Sequence, residues 1–230
     1  MTLKLGIPSK GRLMDKTFDW FRARGVDMGN AGNGREYAAT SGVDGLTIVL
    51  LSASEIPREL GAGRIHLGVT GTDVVRENLA GWEARVREIA PLGFGQADLV
   101  IAVPNFWVDV ETLDDLDAAA AAFRRRHGHR LRIATKYHHL VREFLRREGV
   151  GDYQLVDSQG ATEGTVRNLT AEAVADITST GDTLRANHLR PLADGLVLQS
   201  QATLFRSRAA DFGPAGPALA ALSARLGIQL

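Results

Sequence analysis

Short apolar runs alternate along the chain with amphipathic stretches of helix length, and this alternation constrains the fold more than any other feature. The strand-like runs span residues 3–8, 46–52, 66–70, 98–104, 131–135, 153–157 and 173–178. The helix-like stretches between them span residues 12–24, 54–61, 72–79, 113–127 and 137–148. Such an order is typical of α/β proteins with largely parallel sheets. The sequence therefore predicts the α/β fold class.

The order of these segments also predicts two lobes. Residues 91–95 are rich in turn formers and precede a fresh strand–helix–strand series. Residues 195–205 predict one long strand that returns to the first lobe, and residues 217–226 predict a terminal helix begun by a proline. We therefore predict lobe I from residues 1–95 and 190–230, and lobe II from residues 96–189. A chain that leaves a lobe and returns is typical of two-lobed binding folds with a ligand cleft between the lobes.

Composition excludes several classes of protein. The 230 residues include 27 Lys and Arg against 27 Asp and Glu, so no net charge attracts nucleic acid or an anionic membrane. There is no cysteine, which excludes disulfides, thiolate zinc sites and a cysteine nucleophile. No apolar run approaches the length of a membrane span, and the first residues lack the pattern of a secretory signal. We expect a cytoplasmic protein that binds neither nucleic acid nor membrane.

The segment DITSTGDTL, residues 176–184, places small hydroxyl residues and a glycine between a predicted strand and a predicted helix. A turn of small residues leaves backbone N–H groups unpaired at the start of the helix, and proteins commonly bind phosphate there. The alternative is an ordinary strand–helix turn in which Ser or Thr caps the helix. The segment alone leaves both interpretations open.

The first predicted strand ends in Ser9, Lys10, Gly11 and Arg12, directly before a predicted helix. Ligands of α/β sheets bind where strands end and helices begin. The helix dipole disfavours two cations at a helix N-terminus unless an anion lies there. A functional role for Lys10 and Arg12 is therefore favoured over the alternative of two solvated surface charges.

Other strand ends carry similar residues. Ser54 could cap the next helix, and Thr70–Gly71 forms another small-residue turn, for which capping is also the favoured interpretation. In the second lobe, Lys136 could meet a ligand phosphate, and Tyr137 could stack on a base, although packing is favoured. Glu163 could face sugar hydroxyls or magnesium, or it could be a surface acid.

Familiar catalytic motifs do not occur in the sequence. The six histidines show no zinc-binding spacing, and no nucleophile elbow, Walker loop or dinucleotide-binding glycine motif is present. No pattern indicates covalent catalysis.

Taken together, these segments resemble the catalytic subunit of the ATP phosphoribosyltransferase family, which carries out the first step of histidine biosynthesis. The strongest match is DITSTGDTLRAN at residues 176–187, which is similar to the family's acid–x–x–Ser-Thr-Gly-x-Thr-Leu-x-Ala-Asn phosphoribosyl loop. Supporting matches, in the family's order, are SKGRL at 9–13, LGVTG at 67–71, LGFG at 92–95, VP at 103–104 and RIATKY at 132–137. The resemblance covers residues 1 to about 205.

This resemblance implies a two-lobed fold like that of type II periplasmic binding proteins, with a ligand cleft between the lobes. It implies the transfer of phosphoribosyl from phosphoribosyl pyrophosphate to N1 of ATP, which releases pyrophosphate. The reaction needs positioning, Mg²⁺ with the phosphorylated substrates, and stabilisation of an oxocarbenium-like transition state, but no protein nucleophile.

The resemblance also implies roles for residues. Lys10, Arg12 and Asp176 are the expected catalytic residues, with Asp176 facing the ribose hydroxyls and the two cations meeting pyrophosphate or triphosphate. The residues expected to bind phosphoribosyl pyrophosphate are Thr178, Ser179, Thr180, Gly181, Asp182, Thr183 and Leu184. Those expected near ATP or pyrophosphate are Ser9, Gly11, Ser54, Thr70, Gly71, Lys136, Tyr137 and Glu163. The resemblance identifies no metal ligand.

The chain resembles the short form of the family, which lacks the C-terminal regulatory domain of longer members. We therefore expect a homodimer within a hetero-oligomer that contains a regulatory subunit similar to histidyl-tRNA synthetase.

Two departures from the family pattern bear on local geometry. Glu172 replaces an aspartate in a segment that also lacks the usual proline, and Asp182 adds a negative charge to the predicted phosphate loop. The alternatives are a cytoplasmic two-lobed solute-binding module and a phosphoribosyltransferase with another acceptor.

Overall fold

The computed structural model describes residues 2–30, 38–158 and 160–230. Its strands are β1 (Leu3–Pro8), β2 (Met28–Asn30), β3 (Ala38–Ser41), β4 (Leu46–Leu51), β5 (Leu67–Gly71), β6 (Val86–Pro91), β7 (Ala97–Pro104), β8 (Leu131–Thr135), β9 (Tyr153–Asp157), β10 (Ala173–Thr178), β11 (Leu189–Ser200) and β12 (Ala202–Ser207). Its helices are α1 (Gly11–Arg22), α2 (Glu55–Gly61), α3 (Thr72–Asn78), α4 (Trp82–Arg85), α5 (Leu113–His127), α6 (His138–Arg147), α7 (Gly164–Arg167), α8 (Asp182–Ala186) and α9 (Gly216–Leu226). The α/β fold class is confirmed.

The chain divides into two compact units, and each has its own sheet. The first unit comprises Met1–Gly95 and Gln201–Leu230, and its sheet has the strand order β2-β3-β4-β1-β5-β12-β6. β1 pairs in parallel with both β4 and β5, while β12 and β6 extend the sheet in antiparallel pairs. Helices α1 and α9 pack on one face around Phe21 and Leu222, and helix α2 packs on the other face around Ile56.

The second unit comprises Gln96–Ser200, and its sheet has the strand order β11-β7-β10-β8-β9. β10, β8 and β9 are parallel, whereas β7 and β11 are antiparallel to their neighbours. Helices α5 and α6 cover one face, with Leu116 and Phe144 in the core. The other face packs against Leu184 of α8.

The predicted strand over residues 195–205 is wrong as a single element. The segment forms two strands that belong to different sheets, because residues 189–200 pair with β7 and residues 202–207 pair with β5 and β6. The return to the first unit therefore lies at Ser200 and Gln201 rather than at residue 190. Both sheets are mixed rather than largely parallel, since antiparallel strands flank each parallel group.

An ion pair joins β8 to the start of β10 in the second unit. The guanidinium of Arg132 donates to both carboxylate oxygens of Glu172, at 2.5 and 3.1 Å, and the backbone N–H of Arg132 donates to the same carboxylate at 2.8 Å. Partial burial raises the pKa of the Glu172 carboxyl, but the hydrogen bonds from Arg132 outweigh it and lower that pKa below the usual glutamate range. The glutamate that departs from the family pattern therefore has a structural partner.

We predict that Glu172→Gln lowers the free energy of unfolding by about 1–2 kcal/mol at pH 7, because charged hydrogen bonds to a partly buried group are lost. Since folding lowers the pKa of Glu172, its stabilisation is present above the ordinary glutamate pKa and disappears as the pH falls through the lower folded value. Urea unfolding of both proteins across this pH range measures the difference. It should shrink on acidification.

The matched control is Glu148→Gln, which removes an exposed carboxylate paired with its neighbour Arg147. We expect a change of less than about 0.5 kcal/mol, because exposed ion pairs contribute little. Equal losses in the two variants, or a Glu172→Gln loss that does not change with pH, would contradict the structural role of this pair.

Candidate functional site

The parallel strands of the first unit bring three predicted segments to one edge of the sheet. In the register of β1 with β4, Pro8 lies opposite Leu51, and β5 lies on the other side of β1. Residues 9–12 follow β1, Ser54 follows β4, and Thr70–Gly71 are the last residues of β5. This is the edge at which open α/β sheets bind ligands.

Lys10 and Arg12 flank the start of helix α1. Lys10 is the N-terminal cap residue, its backbone is extended, and its side chain makes no capping bond. Gly11 has φ +73°, a conformation that favours glycine, and no atom of the described residues beyond its chain neighbours lies within 4 Å of the position of an added Cβ. The first turn of α1 has no acidic residue. Both cations are exposed, so the helix start can accept an anion.

Structure assigns different local roles to Ser54 and Thr70. Ser54 occupies the N-terminal cap position of α2, as predicted, but its side chain makes no capping bond, and the Glu55 carboxylate accepts from the Ser52 N–H at 2.8 Å. Thr70 is fully buried, and its hydroxyl donates to the Ala53 carbonyl oxygen at 3.0 Å. Thr70 thus ties the end of β5 to the loop after β4. Gly71 precedes α3 with an ordinary φ of −69°.

Parallel strands of the second unit create a corresponding edge. Thr135 lies opposite Ala175 and Asp157 in the registers of β8 with β10 and β9. The segments after β8 and β9 therefore begin at the edge where β10 ends in the 176–184 loop, and Lys136 after β8 contacts Gly160 after β9.

Hydroxyl side chains order the 176–184 loop. The Thr178 hydroxyl accepts from the Gly181 N–H at 2.8 Å, and the Ser179 hydroxyl donates to the Gln96 carbonyl oxygen at 2.9 Å. Gly181 has φ +75° and caps α8. Leu184 packs its buried side chain in the core, so it can offer a ligand only its backbone amide. Among the described residues, no group accepts a hydrogen bond from the backbone amide of Thr183 or of Leu184.

Asp182 is neutralised within the loop. Its carboxylate accepts from the Thr180 hydroxyl at 2.6 Å and forms an ion pair with Arg185. The hydrogen bond from Thr180, together with Arg185, lowers the pKa of Asp182 below the usual aspartate range. The extra negative charge therefore has a cation beside it. An opposing anion would compete with Asp182 for the Thr180 hydroxyl.

Arg185 is a candidate residue that the sequence analysis did not select. Its Nη1 atom lies 2.9 Å from the position that a Cβ on Gly181 would occupy, so the guanidinium lies over the turn of the loop. The position three residues after Asp182 on a helix was the available signal, because residues at this spacing share a face.

The remaining predicted residues of this unit are placed as follows. Lys136 is exposed and donates to the Gly160 carbonyl oxygen at 2.6 Å. Tyr137 packs against the core beneath α6, as the favoured interpretation predicts. Asp176 is half-buried, and its carboxylate accepts from the Ile177 N–H at 2.8 Å. Glu163 is half-buried and precedes α7.

The described residues contain no group of three or more His, Asp or Glu side chains that could hold a metal ion. Over the same ranges, no helix is long and apolar enough to cross a membrane.

Comparisons with solved structures bear on the fold. A chain of the ATP phosphoribosyl transferase (HisG:HisZ) complex from Thermotoga maritima superposes with a TM-score of 0.74 at 20% identity, over 98% of this chain and 96% of that one. A probable amino-acid ABC transporter extracellular-binding protein from Bacillus subtilis superposes with a TM-score of 0.54 at 10% identity, over 99% and 89%. These neighbours show a fold that enzymes and solute-binding proteins share.

Sequence comparisons separate these two classes. The family model described as HisG: ATP phosphoribosyltransferase matches residues 52–226. An ATP phosphoribosyltransferase from Cereibacter sphaeroides is 72% identical over 231 aligned positions, which cover 100% of this chain and 98% of that protein. The chain therefore belongs to the ATP phosphoribosyltransferase family, the pentosyltransferases of the first step of histidine biosynthesis.

Proposed function

We propose that this chain transfers phosphoribosyl from phosphoribosyl pyrophosphate to N1 of ATP and releases pyrophosphate. The observation that carries the proposal is the 176–184 loop, which combines a left-handed glycine, ordered hydroxyls and unengaged amides at the carboxyl edge of parallel strands. Loops of this construction suit a phosphate monoester. A solute-binding role would leave the transferase family match without an explanation.

In this proposal the loop holds the 5′-phosphate of phosphoribosyl pyrophosphate. The amides of Thr183 and Leu184 donate to phosphate oxygens, and the Thr180 hydroxyl exchanges its bond to Asp182 for one to the phosphate. Arg185 adds a positive charge beside the loop. Because the phosphate does not react, this binding energy serves to fix the anomeric carbon in position.

The other catalytic candidates stabilise the charges of the substrates and of the transition state. Asp176 accepts hydrogen bonds from the ribose hydroxyls, which orients the ring as it acquires oxocarbenium character. Lys10 and Arg12, with exposed side chains at the start of α1, stabilise the negative charge of pyrophosphate or triphosphate. Since the adenine N1 attacks carbon directly, no protein side chain forms a covalent bond.

The remaining contacts proposed for ATP and pyrophosphate are those of Ser9, Gly11, Gly71, Lys136 and Glu163. The loops that carry these residues are shaped by the contacts of Ser54, Thr70 and Tyr137. The acids Asp176 and Glu163 fit Mg²⁺ that is bound mainly by substrate phosphates, because Mg²⁺ commonly takes one or two carboxylates together with phosphate oxygens. Such an ion would supply charge neutralisation of the pyrophosphate leaving group.

The experiment that tests the function is incubation with phosphoribosyl pyrophosphate, Mg²⁺ and ATP, followed by detection of the N1-ribosylated adenine chromophore and of pyrophosphate. Product should depend on all three additions. Replacement of ATP by other bases tests the alternative acceptor, and turnover with one of them instead of ATP would overturn the proposal. Binding of phosphoribosyl pyrophosphate without any turnover would favour a binding module.

We predict that Thr180→Val and Gly181→Val each lower activity by about tenfold or more, chiefly through weaker binding of phosphoribosyl pyrophosphate. Valine at 180 removes a hydroxyl, and a hydrogen bond to a charged group is worth about 1.5–3 kcal/mol. Valine at 181 is strained at φ +75° and displaces Arg185. Steady-state kinetics and calorimetry measure both effects.

Thr180→Ser is the matched control, because it keeps the hydroxyl and should retain affinity within a few-fold. Asp182→Asn should act in the opposite direction to Thr180→Val and tighten phosphoribosyl pyrophosphate binding, since it removes a charge that competes with the phosphate. If both valine variants fold and keep wild-type affinity, the loop does not bind the substrate.

We predict that Lys10→Ala and Arg12→Ala raise KM or lower kcat by about tenfold while the free energy of unfolding changes by less than about 0.5 kcal/mol. Both side chains are exposed, so their removal should not disturb packing. Lys16→Ala, on the exposed part of the same helix, is the charge-matched control and should change neither quantity. Unfolding of either site variant would show that its cation is structural.

The proposal also covers the oligomer that this chain forms. The Thermotoga maritima neighbour is a HisG:HisZ complex, which supports a hetero-oligomer of this chain with a HisZ-type subunit. We propose that the chain forms a homodimer within it, in the cytoplasm, and that the partner is the histidyl-tRNA-synthetase-like regulatory subunit.

We predict that the purified chain alone has weak activity and no response to histidine, and that the partner subunit raises its activity and confers inhibition by histidine. Size-exclusion chromatography with light scattering should show a dimer of the isolated chain. Calorimetry with histidine provides the decisive measurement, because tight binding to this chain alone would contradict regulation through a partner.

A further inference from the structure

A polar cavity of about 340 Å³ lies in the first unit, beside strands β6 and β12. It is lined by Arg87, Arg206, Ser207, Arg208 and Phe212. None of these residues belongs to the proposed substrate machinery. Three guanidinium groups around one small cavity require an electrostatic explanation, because like charges in proximity destabilise one another.

Strand register places two of these arginines directly opposite each other. One cross-strand row of the sheet runs from Ile48 through Leu5 and Leu67 to Arg206 and then Arg87. The first three side chains are buried in the core, so an apolar row ends in a pair of arginines at the sheet edge. Like charges directly opposite on neighbouring strands are unfavourable unless an anion lies between them.

The neighbouring carboxylate does not neutralise this pair. Glu88 follows Arg87 on β6 and therefore points to the opposite face, where its carboxylate lies 3.5 Å from Arg76. Among the described residues, no Asp or Glu forms an ion pair with Arg87, Arg206 or Arg208.

The guanidinium groups keep donors for a ligand. Arg206 donates through Nη1 at 2.6 Å to an oxygen of Leu230, the last residue of the sequence, and Arg208 donates through Nε to the Val86 carbonyl oxygen at 3.4 Å. Arg87 is exposed and makes no hydrogen bond to a described residue. The remaining N–H groups can form the paired contacts that arginine makes with phosphate oxygens.

An aromatic platform fixes Arg206. Its guanidinium lies 4.1 Å from the centre of the Phe212 ring, and that ring packs edge-on against His66 at 5.1 Å. His66 accepts from the Lys4 N–H at 3.1 Å and contacts the Asp211 carbonyl oxygen at 3.1 Å, which holds the segment before Phe212. Arg206 is therefore oriented before any ligand binds.

We propose that Arg87, Arg206 and Arg208 form a binding site for a small phosphoryl anion, separate from the substrate residues. Arg206 pairs with Leu67 at the amino end of β5, whereas the candidate substrate residues of this unit follow the carboxyl ends of the parallel strands. The cavity is at the small end of ligand sites, so it fits phosphate or pyrophosphate better than a nucleotide. This site does not depend on the proposed function.

The test is calorimetric titration of the full chain with inorganic phosphate and, separately, with pyrophosphate, at constant ionic strength set by chloride. We expect Arg87→Gln and Arg208→Gln to weaken the event assigned to this site by about tenfold each, which is the loss expected for a charged hydrogen bond. Arg85→Gln is the matched control, because Arg85 is exposed nearby but does not line the cavity. Phosphate that binds at the substrate loop should do so with the same affinity in the wild type and in all three variants.

Thermal unfolding supplies a second readout, because the order of stability of the wild type and Arg87→Gln should reverse when phosphate is added. Without phosphate, Arg87→Gln should be as stable as the wild type or more stable, because it relieves repulsion with Arg206. With saturating phosphate, the wild type should gain more in Tm than the variant does. Equal affinities in all four proteins, or an equal loss in Arg85→Gln, would overturn the site. Neither result depends on turnover, so a failure of the transferase assay leaves this test intact.

Discussion

The constraint on which the candidate site depends is the parallel pairing of three strands in each unit. Parallel neighbours end at the same edge of their own sheet. In the first unit this brings together the ends of β1, β4 and β5, and in the second unit, separately, those of β8, β9 and β10. At those ends, backbone amides no longer have strand partners and need side chains or ligands. The Thr178 hydroxyl meets this need for the Gly181 amide, whereas the Thr70 hydroxyl donates to a backbone carbonyl, that of Ala53. The amides of Thr183 and Leu184 have no hydrogen-bond acceptor among the described residues.

Much of this arrangement could be predicted from the sequence because it follows from local patterns. Runs such as Leu3–Pro8 and Ala173–Thr178 are short, apolar and bounded by turn residues, and they form strands at those residues. The sequence predicts a tight turn that contains Gly181, and Gly181 adopts a positive φ in this turn. Helix α5 agrees with its amphipathic pattern from Leu113 to His127, since a capping box and a terminal glycine fix both ends.

What the sequence could not predict depends on tertiary contacts. Residues 195–205 form a continuous strand pattern, and only pairing with different partners divides them at Gln201. The short strands at Met28–Asn30 and Val86–Pro91 carry little apolar periodicity, and their neighbours in the sheet specify them. Likewise, the hydroxyl of Thr70 is equally suited to a ligand or to a backbone carbonyl. Because the side chain is buried, its hydroxyl donates to the carbonyl oxygen of Ala53.

The arginines show how the same side chain takes structural and binding roles. Arg132 has a carboxylate in bidentate geometry and joins two strands, so its charge is used within the fold. Arg185 is intermediate, because its partner Asp182 belongs to the loop that would receive a phosphate, and the ion pair can yield to the ligand. Arg87 and Arg206 lie opposite each other, and no Asp or Glu side chain among the described residues forms an ion pair with either of them. A cation without an internal counter-charge costs stability unless solvent or a ligand supplies one. The distribution of carboxylates, rather than the number of arginines, therefore separates the cations that hold this protein together from those that can bind an anion.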